Sequence, residues 1–146
     1  MATIDEIAEA VKGRLNEAPF SMPFTAERQY LPMFELPDMA VLRVTVVPKG
    51  LVTTGLSRDT SQNEYAIDVA VQKKVAVETP EEIDPLVSLV EEIADRFQFR
   101  RLGDYPTAAW SKTENVPVYA VEHLEEFRQF TSVLTFTFKV FRAAQG

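Results

Sequence analysis

"QFTSVLTFTFKVF", residues 129–141, alternates with hardly a slip, and its reading decides the fold. Phe130, Ser132, Leu134, Phe136, Phe138 and Val140 fall on one side. Thr131, Val133, Thr135, Thr137, Lys139 and Phe141 fall on the other. Period-two alternation marks a strand with a core-facing side. A strand this long, with both faces usable, belongs in the middle of a sheet.

Working back from it, "EHLEEF" reads as a turn of helix and "VYAV" (118–121) as a short strand, while residues 103–117, "GDYPTAAWSKTENVP", show no period. Before them Thr79, Pro80 and Glu82 supply a helix start with N-cap, N1 proline and N3 glutamate. Ile83, Leu86, Val87, Val90, Ala94 and Phe97 carry that helix to about residue 98. Pro85 removes a hydrogen bond inside it, so the helix either kinks there or begins at Asp84.

Further back, "EYAIDVAVQKKVAV" (64–77) puts Tyr65, Ile67, Val69 and Val71 on one face. Glu64, Ala66, Asp68, Ala70 and Gln72 lie on the other. It pairs with "VLRVTVV" (41–47) through a hairpin whose long polar loop spans 49–62. "LPMFELPDMA" (31–40) carries two prolines among apolar residues, and "PFTAERQY" (23–30) alternates as a moderate strand. At the N-terminus, Thr3 and Glu6 read as a capping box. Ile4, Ile7, Ala8, Val11 and Leu15 form a helical stripe over 4–17, stopped by Pro19.

The order is α, β, β, β, α, a further short β, then β. That is an α+β class: a mainly antiparallel sheet of four to five strands with two helices packed on one face. With 146 residues, no internal repeat and no low-complexity stretch, the chain is expected to form a single domain over 1–146. Cysteine is absent, which excludes a disulfide framework, thiolate metal sites and thiol nucleophiles, and suits a reducing cytosol. No apolar stretch reaches the roughly 18 residues of a membrane span, and the acidic N-terminus is unlike a secretion signal. A formal charge of −7 opposes nonspecific attraction to DNA or anionic lipid.

Little in the sequence points to catalysis. His123 is the sole histidine, with no G-x-S-x-G serine to pair with and no second histidine at ligand spacing. Glu81 with Glu82, and Glu91 with Glu92, fit polar helix faces and a first turn better than a glycosidase cleft. Glu92 also stands four residues before Arg96, a favourable helical pair. No phosphate-cradling glycine loop occurs. "RFQFRRL" (96–102) mixes arginines with aromatics as a single-strand binder does, but Phe97 completes the helix stripe and cations suit a helix C-terminus. Three irregular segments remain, 31–40, 48–63 and 103–117, and long loops in a compact domain tend to be functional or disordered. Met33, Phe34, Leu36, Met39, Tyr105 and Trp110 argue against simple disorder in the first and third; methionine and aromatics are enriched at interface cores, and the alternative is that these side chains fold back over the domain's own core.

Four segments together, "TIDEIAEAVKGRLN", "NEYAIDVAVQKKV", "EEIDPLVSLVEEIADRF" and "FTSVLTFTFKVFR", resemble neck and tail-completion proteins of long-tailed bacteriophages. The tail terminator group fits best, over residues 3–142. The resemblance implies a structural virion protein, assembled in the host cytoplasm. Its copies would form a homo-oligomeric ring, usually a hexamer, that caps the tail tube and joins it to the head. Partners would be the tail tube protein and neck or connector proteins, with DNA passing through the ring without specific binding. An acidic lumen would repel its phosphates. No catalytic residue, cofactor, metal or membrane comes with the resemblance, and no enzyme activity is expected. Candidate subunit or tube contacts are Arg58 and Asp59 on the hairpin loop, Met33 and Phe34 in 31–40, and Trp110. The alternatives are a head-side connector or stopper of the neck, and a small acidic non-viral binding domain; a hydrolase using His123 stands last.

Overall fold

The structure, a computed structural model, describes residues 2–17, 19–30, 41–76, 79–103 and 105–143. Helix α1 (Thr3–Glu17) buries Ile7, Ala8, Ala10, Val11 and Leu15, the stripe set by its spacing of three and four residues. The expected capping box does not form. The Glu6 N–H donates to the Ala2 carbonyl at 3.1 Å, so the helix starts one residue earlier, and the Thr3 hydroxyl accepts from Arg142 at 3.0 Å.

Helix α2 (Pro80–Phe97) buries Leu86, Leu89, Val90, Ile93 and Phe97. Thr79 stands at its N-cap in extended conformation, but only its carbonyl is used, accepting from the Glu82 and Ile83 N–H groups at 3.0 Å. Pro85 lies inside the helix, which starts at Pro80 and not at Asp84.

Six strands form one sheet: β1 (Ala26–Arg28), β2 (Arg43–Gly55), β3 (Thr60–Lys74), β4 (Arg101–Leu102), β5 (Tyr105–Glu114) and β6 (Gln129–Ala143). Their order is β1-β2-β3-β6-β5-β4. The first pair is parallel and the rest are antiparallel. A third helix, α3 (Val121–Phe127), buries no residue and precedes β6.

This corrects the expected fold of four to five mainly antiparallel strands with two helices: among the described residues the sheet is six-stranded and mixed, and there are three helices. The reasons are local. β5 hides its period because Pro106 breaks the pattern and a bulge between Trp110 and Lys112 shifts the alternation. β1 and β4 are too short to show any period. β1 runs parallel to β2 because residues 29–42 between them are long enough for a crossover. "VYAV" forms no strand, since α3 begins at Val121. The long hairpin loop shrinks to residues 56–59, the rest of 48–63 being strand.

β6 lies between β3 and β5, paired with β3 from Gln129↔Lys74 through Ala143↔Thr60. Phe130, Leu134, Phe136 and Phe138 on its helix-facing side are fully buried, with Ile67 and Val69 of β3 beside them. Phe97, from the last turn of α2, sits 4.6 Å from the Phe136 ring and 6.4 Å from Phe138, edge-on to the latter. Polar clasps hold the elements around this core. Asn16 donates to the Ala26 carbonyl (3.2 Å) and accepts the Ala26 N–H (2.8 Å), docking β1 on the end of α1. Arg28 reaches back to Glu9 (2.8 Å) and Asp5 (3.2 Å) on α1. Glu92 of α2 accepts both the backbone N–H and the hydroxyl of Ser21.

Phe97 is 1% exposed and Phe99 83% exposed, two residues apart. Phe97→Ala is expected to lower the unfolding free energy by about 3–5 kcal/mol. Phe99→Ala should change it by no more than about 0.5 kcal/mol, both read by urea denaturation. A pH dependence follows from Glu9. Lys12, 2.9 Å away, holds its carboxyl below the ordinary carboxylate value; partial burial opposes this and Arg28 adds to it. A carboxyl depressed in the folded state stabilises fully above its unfolded pKa, and that stability drains away as pH falls through the folded value. Glu9→Gln should therefore flatten the loss of stability on acidification, and an unchanged slope would remove Glu9 from the account.

Candidate assembly interface

β2, β3 and β6 continue past the core as a three-stranded arm. Val44 and Val46 are buried, whereas every residue of β2 from Leu51 to Gly55 is exposed. The change comes at Pro48, where the β2–β3 register slips between Pro48 and Gly50. Leu51 pairs with Tyr65 on the helix-facing side, yet it is 53% exposed where Tyr65 is 3% exposed, so burial at this level ends between β3 and β2. At the base of the arm a polar chain replaces apolar packing: Thr53 donates to Asn63 (2.8 Å), and Asn63 donates to the Tyr65 hydroxyl (3.1 Å).

The arm exposes Leu51, Val52, Leu56 and Phe141. Its outer edge is also open. β1 pairs with β2 only at Val44, Thr45 and Val46, and beyond Val46 the edge has no ladder partner among the described residues. A bare edge rich in β-branched residues is a template for another strand, and a protein that keeps one usually uses it.

Arg58 and Asp59 lie at the tip of this arm. There Leu56 and Ser57 donate backbone N–H bonds to the Thr60 carbonyl, and the Ser57 hydroxyl donates to Asp59 at 3.2 Å. Arg58 is exposed. Trp110 lies apart from them, on β5 and half-buried, with its indole N–H donating to Thr113 (2.8 Å) and its ring 5.1 Å from Phe99, edge-on. Met33 and Phe34 lie outside the described residues. The structure thus places Arg58 and Asp59 together and keeps Trp110 on a different strand.

The residues that might have carried chemistry have structural duties. His123 Nδ1 is 3.0 Å from the Thr131 hydroxyl, and its ring stands edge-on to Phe127. Among the described residues no three His, Asp or Glu side chains converge to hold a metal ion. Glu82 accepts the Ala76 N–H and Glu92 is bound to Ser21. Sequence reasoning missed Leu51, Val52, Leu56 and Phe141 as surface residues. The signal was there in the β-branched run Val52, Thr53, Thr54, which is strand-like and follows a proline and a glycine that read as loop.

No family model and no curated protein matches the chain. It is similar to 22 chains of solved structures. Among them is the sheath/tube terminator of an extracellular contractile injection system, PVC, in its extended state, at 14% identity and a TM-score of 0.47. The overlap takes in all of this chain and 61% of that one, so this chain spans less than two thirds of its length. At that level the likeness does not establish a common fold, and what the terminator joins is a property of that protein.

Trp110 is the only tryptophan, so it reports on its own contact. Phe99→Ala uncovers one edge of the indole and should shift its emission to longer wavelength. An unchanged spectrum would mean that the two rings do not meet in solution.

Proposed function

We propose that this protein is a structural subunit of a tail-like particle, whose copies form a ring that caps the tail tube at the head–tail junction and ends tail growth. The observation that carries the reading is the arm: one end of three strands that exposes Leu51, Val52, Leu56 and Phe141 and, along β2 beyond Val46, has no ladder partner among the described residues. Exposed apolar side chains gain from being covered and an open strand edge gains ladder hydrogen bonds, and in a ring the neighbouring copy supplies both. The resemblance of four segments to tail terminators supplies the class of particle. The mechanism is shape and surface complementarity, with no bond made or broken.

Copies related by rotation meet through different patches, and such a contact closes into a ring when the rotation divides a full turn. Arg58 and Asp59 at the tip of the arm are placed to touch the next copy or the tube.

Val52→Lys and Phe141→Lys are expected to leave the unfolding midpoint of the separated chain within about 0.5 kcal/mol of wild type. They should abolish assembly in sedimentation velocity. Charge reversal at both Arg58 and Asp59 should block capping, seen as tubes that grow past their normal length when the variant is added to polymerising tail tube protein. Capping by all three variants at the wild-type rate would contradict the role of the arm. Binding of wild-type protein to isolated heads in preference to tube ends would move it to the connector or stopper position.

A further inference from the structure

The end of the molecule next to β4 carries four arginines: Arg14, Arg96, Arg100 and Arg101. The chain has 22 carboxylate side chains, yet none of these guanidinium groups forms an ion pair among the described residues. Main-chain oxygens stand in. Arg14 donates to the Arg101 carbonyl (2.6 Å) and the Arg96 carbonyl (3.4 Å), and Arg101 donates to the Pro106 carbonyl (3.1 Å). The Nε of Arg96 is buried with no partner at all. Burial, followed by the positive charges of Arg100 and Arg96, makes the Arg14 guanidinium easier to deprotonate than usual, with the Glu17 carboxylate offsetting part of this.

Phe99 stands among them. Its φ of 57° is left-handed, a conformation a phenylalanine rarely adopts, and it turns the ring outward to 83% exposure against the edge of Trp110. Strain of this kind, about 1–3 kcal/mol, is kept where a site needs the geometry. An exposed ring among arginines, beside a tryptophan, has the composition of an interface hot spot.

The complement lies on the same chain at the far end. α3 exposes Glu122, Glu125 and Glu126, none of them in an ion pair among the described residues, and exposes Val121 and Phe127 beside them. α3 adjoins the first residue of β6, Gln129, whereas the arginine end adjoins β5 where Ala109 pairs with Lys139 of β6. Ten strand residues separate these points, about 33 Å, so the two surfaces cannot meet within one molecule.

We infer that α3 of one copy docks on the arginine and Phe99 surface of the next, as a head-to-tail contact that helps close the ring. The inference rests on the ring reading above and names the charged half of the contact. Glu122, Glu125 and Glu126 pair with the guanidinium groups, while Phe127 and Val121 cover Phe99. A nucleic-acid strand is the weaker occupant: one exposed ring offers little stacking, and the −7 charge of the chain opposes a polyanion.

Two double variants test this, Arg100→Glu with Arg101→Glu, and Glu125→Arg with Glu126→Arg. All four residues are exposed, so far-UV circular dichroism and unfolding midpoints should match wild type. Each variant alone should associate at least about tenfold more weakly in sedimentation velocity, with the difference shrinking at high salt. An equimolar mixture should recover assembly, because each mutated surface then meets its opposite. Phe99→Gly removes both ring and strain, and is expected to weaken association with stability equal or higher. If wild type forms rings and both double variants form them equally well, the docking is wrong and the ring reading stands. If wild type forms none at any concentration, with or without tube ends, the ring reading itself fails. Loss of labelled oligo-dT binding in the arginine variant, with assembly intact, would assign the patch to nucleic acid and overturn the inference.

Discussion

The packing of Phe97 on Phe136 and Phe138 is the contact on which the rest of the molecule depends. It brings the last turn of α2 onto the central strand. Towards the tip burial thins strand by strand: β2 is exposed from Leu51 on, while Asn63 of β3 and Val140 of β6 are still buried. The Phe97 ring has the Arg14 guanidinium 5.8 Å above it. The chain then reverses at once: the Arg100 N–H donates to the Phe97 carbonyl at 3.2 Å, and Phe99 is turned into solvent. This buried aromatic thus sits directly beside the arginine and Phe99 surface that the functional account uses.

The arm and the arginine surface differ in physical kind, which suits them to different tasks. The arm offers apolar side chains and an open backbone edge, so its contacts gain from burial and from ladder hydrogen bonds, and salt barely weakens them. The arginine end and α3 offer charge, which steers and selects partners more than it tightens binding. Electrostatic approach followed by apolar locking is the order of events that the proposed assembly implies. Four of the nine arginines of a net negative chain gather at one end, where like charges disfavour misdirected contacts.

Much of this was legible in the sequence, and the failures share a cause. β6 and most of β3 were legible because Phe130 to Val140 and Tyr65 to Val71 alternate with one side buried, although β3 starts at Thr60, inside the expected loop, and ends at Lys74, short of the expected residue 77. The α2 stripe was seen, although its true centre includes Leu89 and Ile93 as well. β5 was invisible because a proline and a bulge disturb its period, and β1 and β4 because two or three residues have none. The arm read as loop because Pro48 and Gly50 look like punctuation; in the structure they mark a register slip within a strand that continues. Thr3 looked like a cap and serves Arg142 instead, a partner 139 residues away that no local pattern can reveal. Phe97 and Phe99 are chemically alike and two residues apart; only the left-handed turn between them sends one to the core and the other to the surface.

The central claim is that copies of this chain close into a ring. Electron microscopy of the purified protein in negative stain, at high concentration and with tail tubes added in a parallel sample, tests it most directly. The account predicts annular particles with a central hole and a defined rotational symmetry, free or seated on tube ends. Isolated particles in both samples, with bare tube ends, would contradict it.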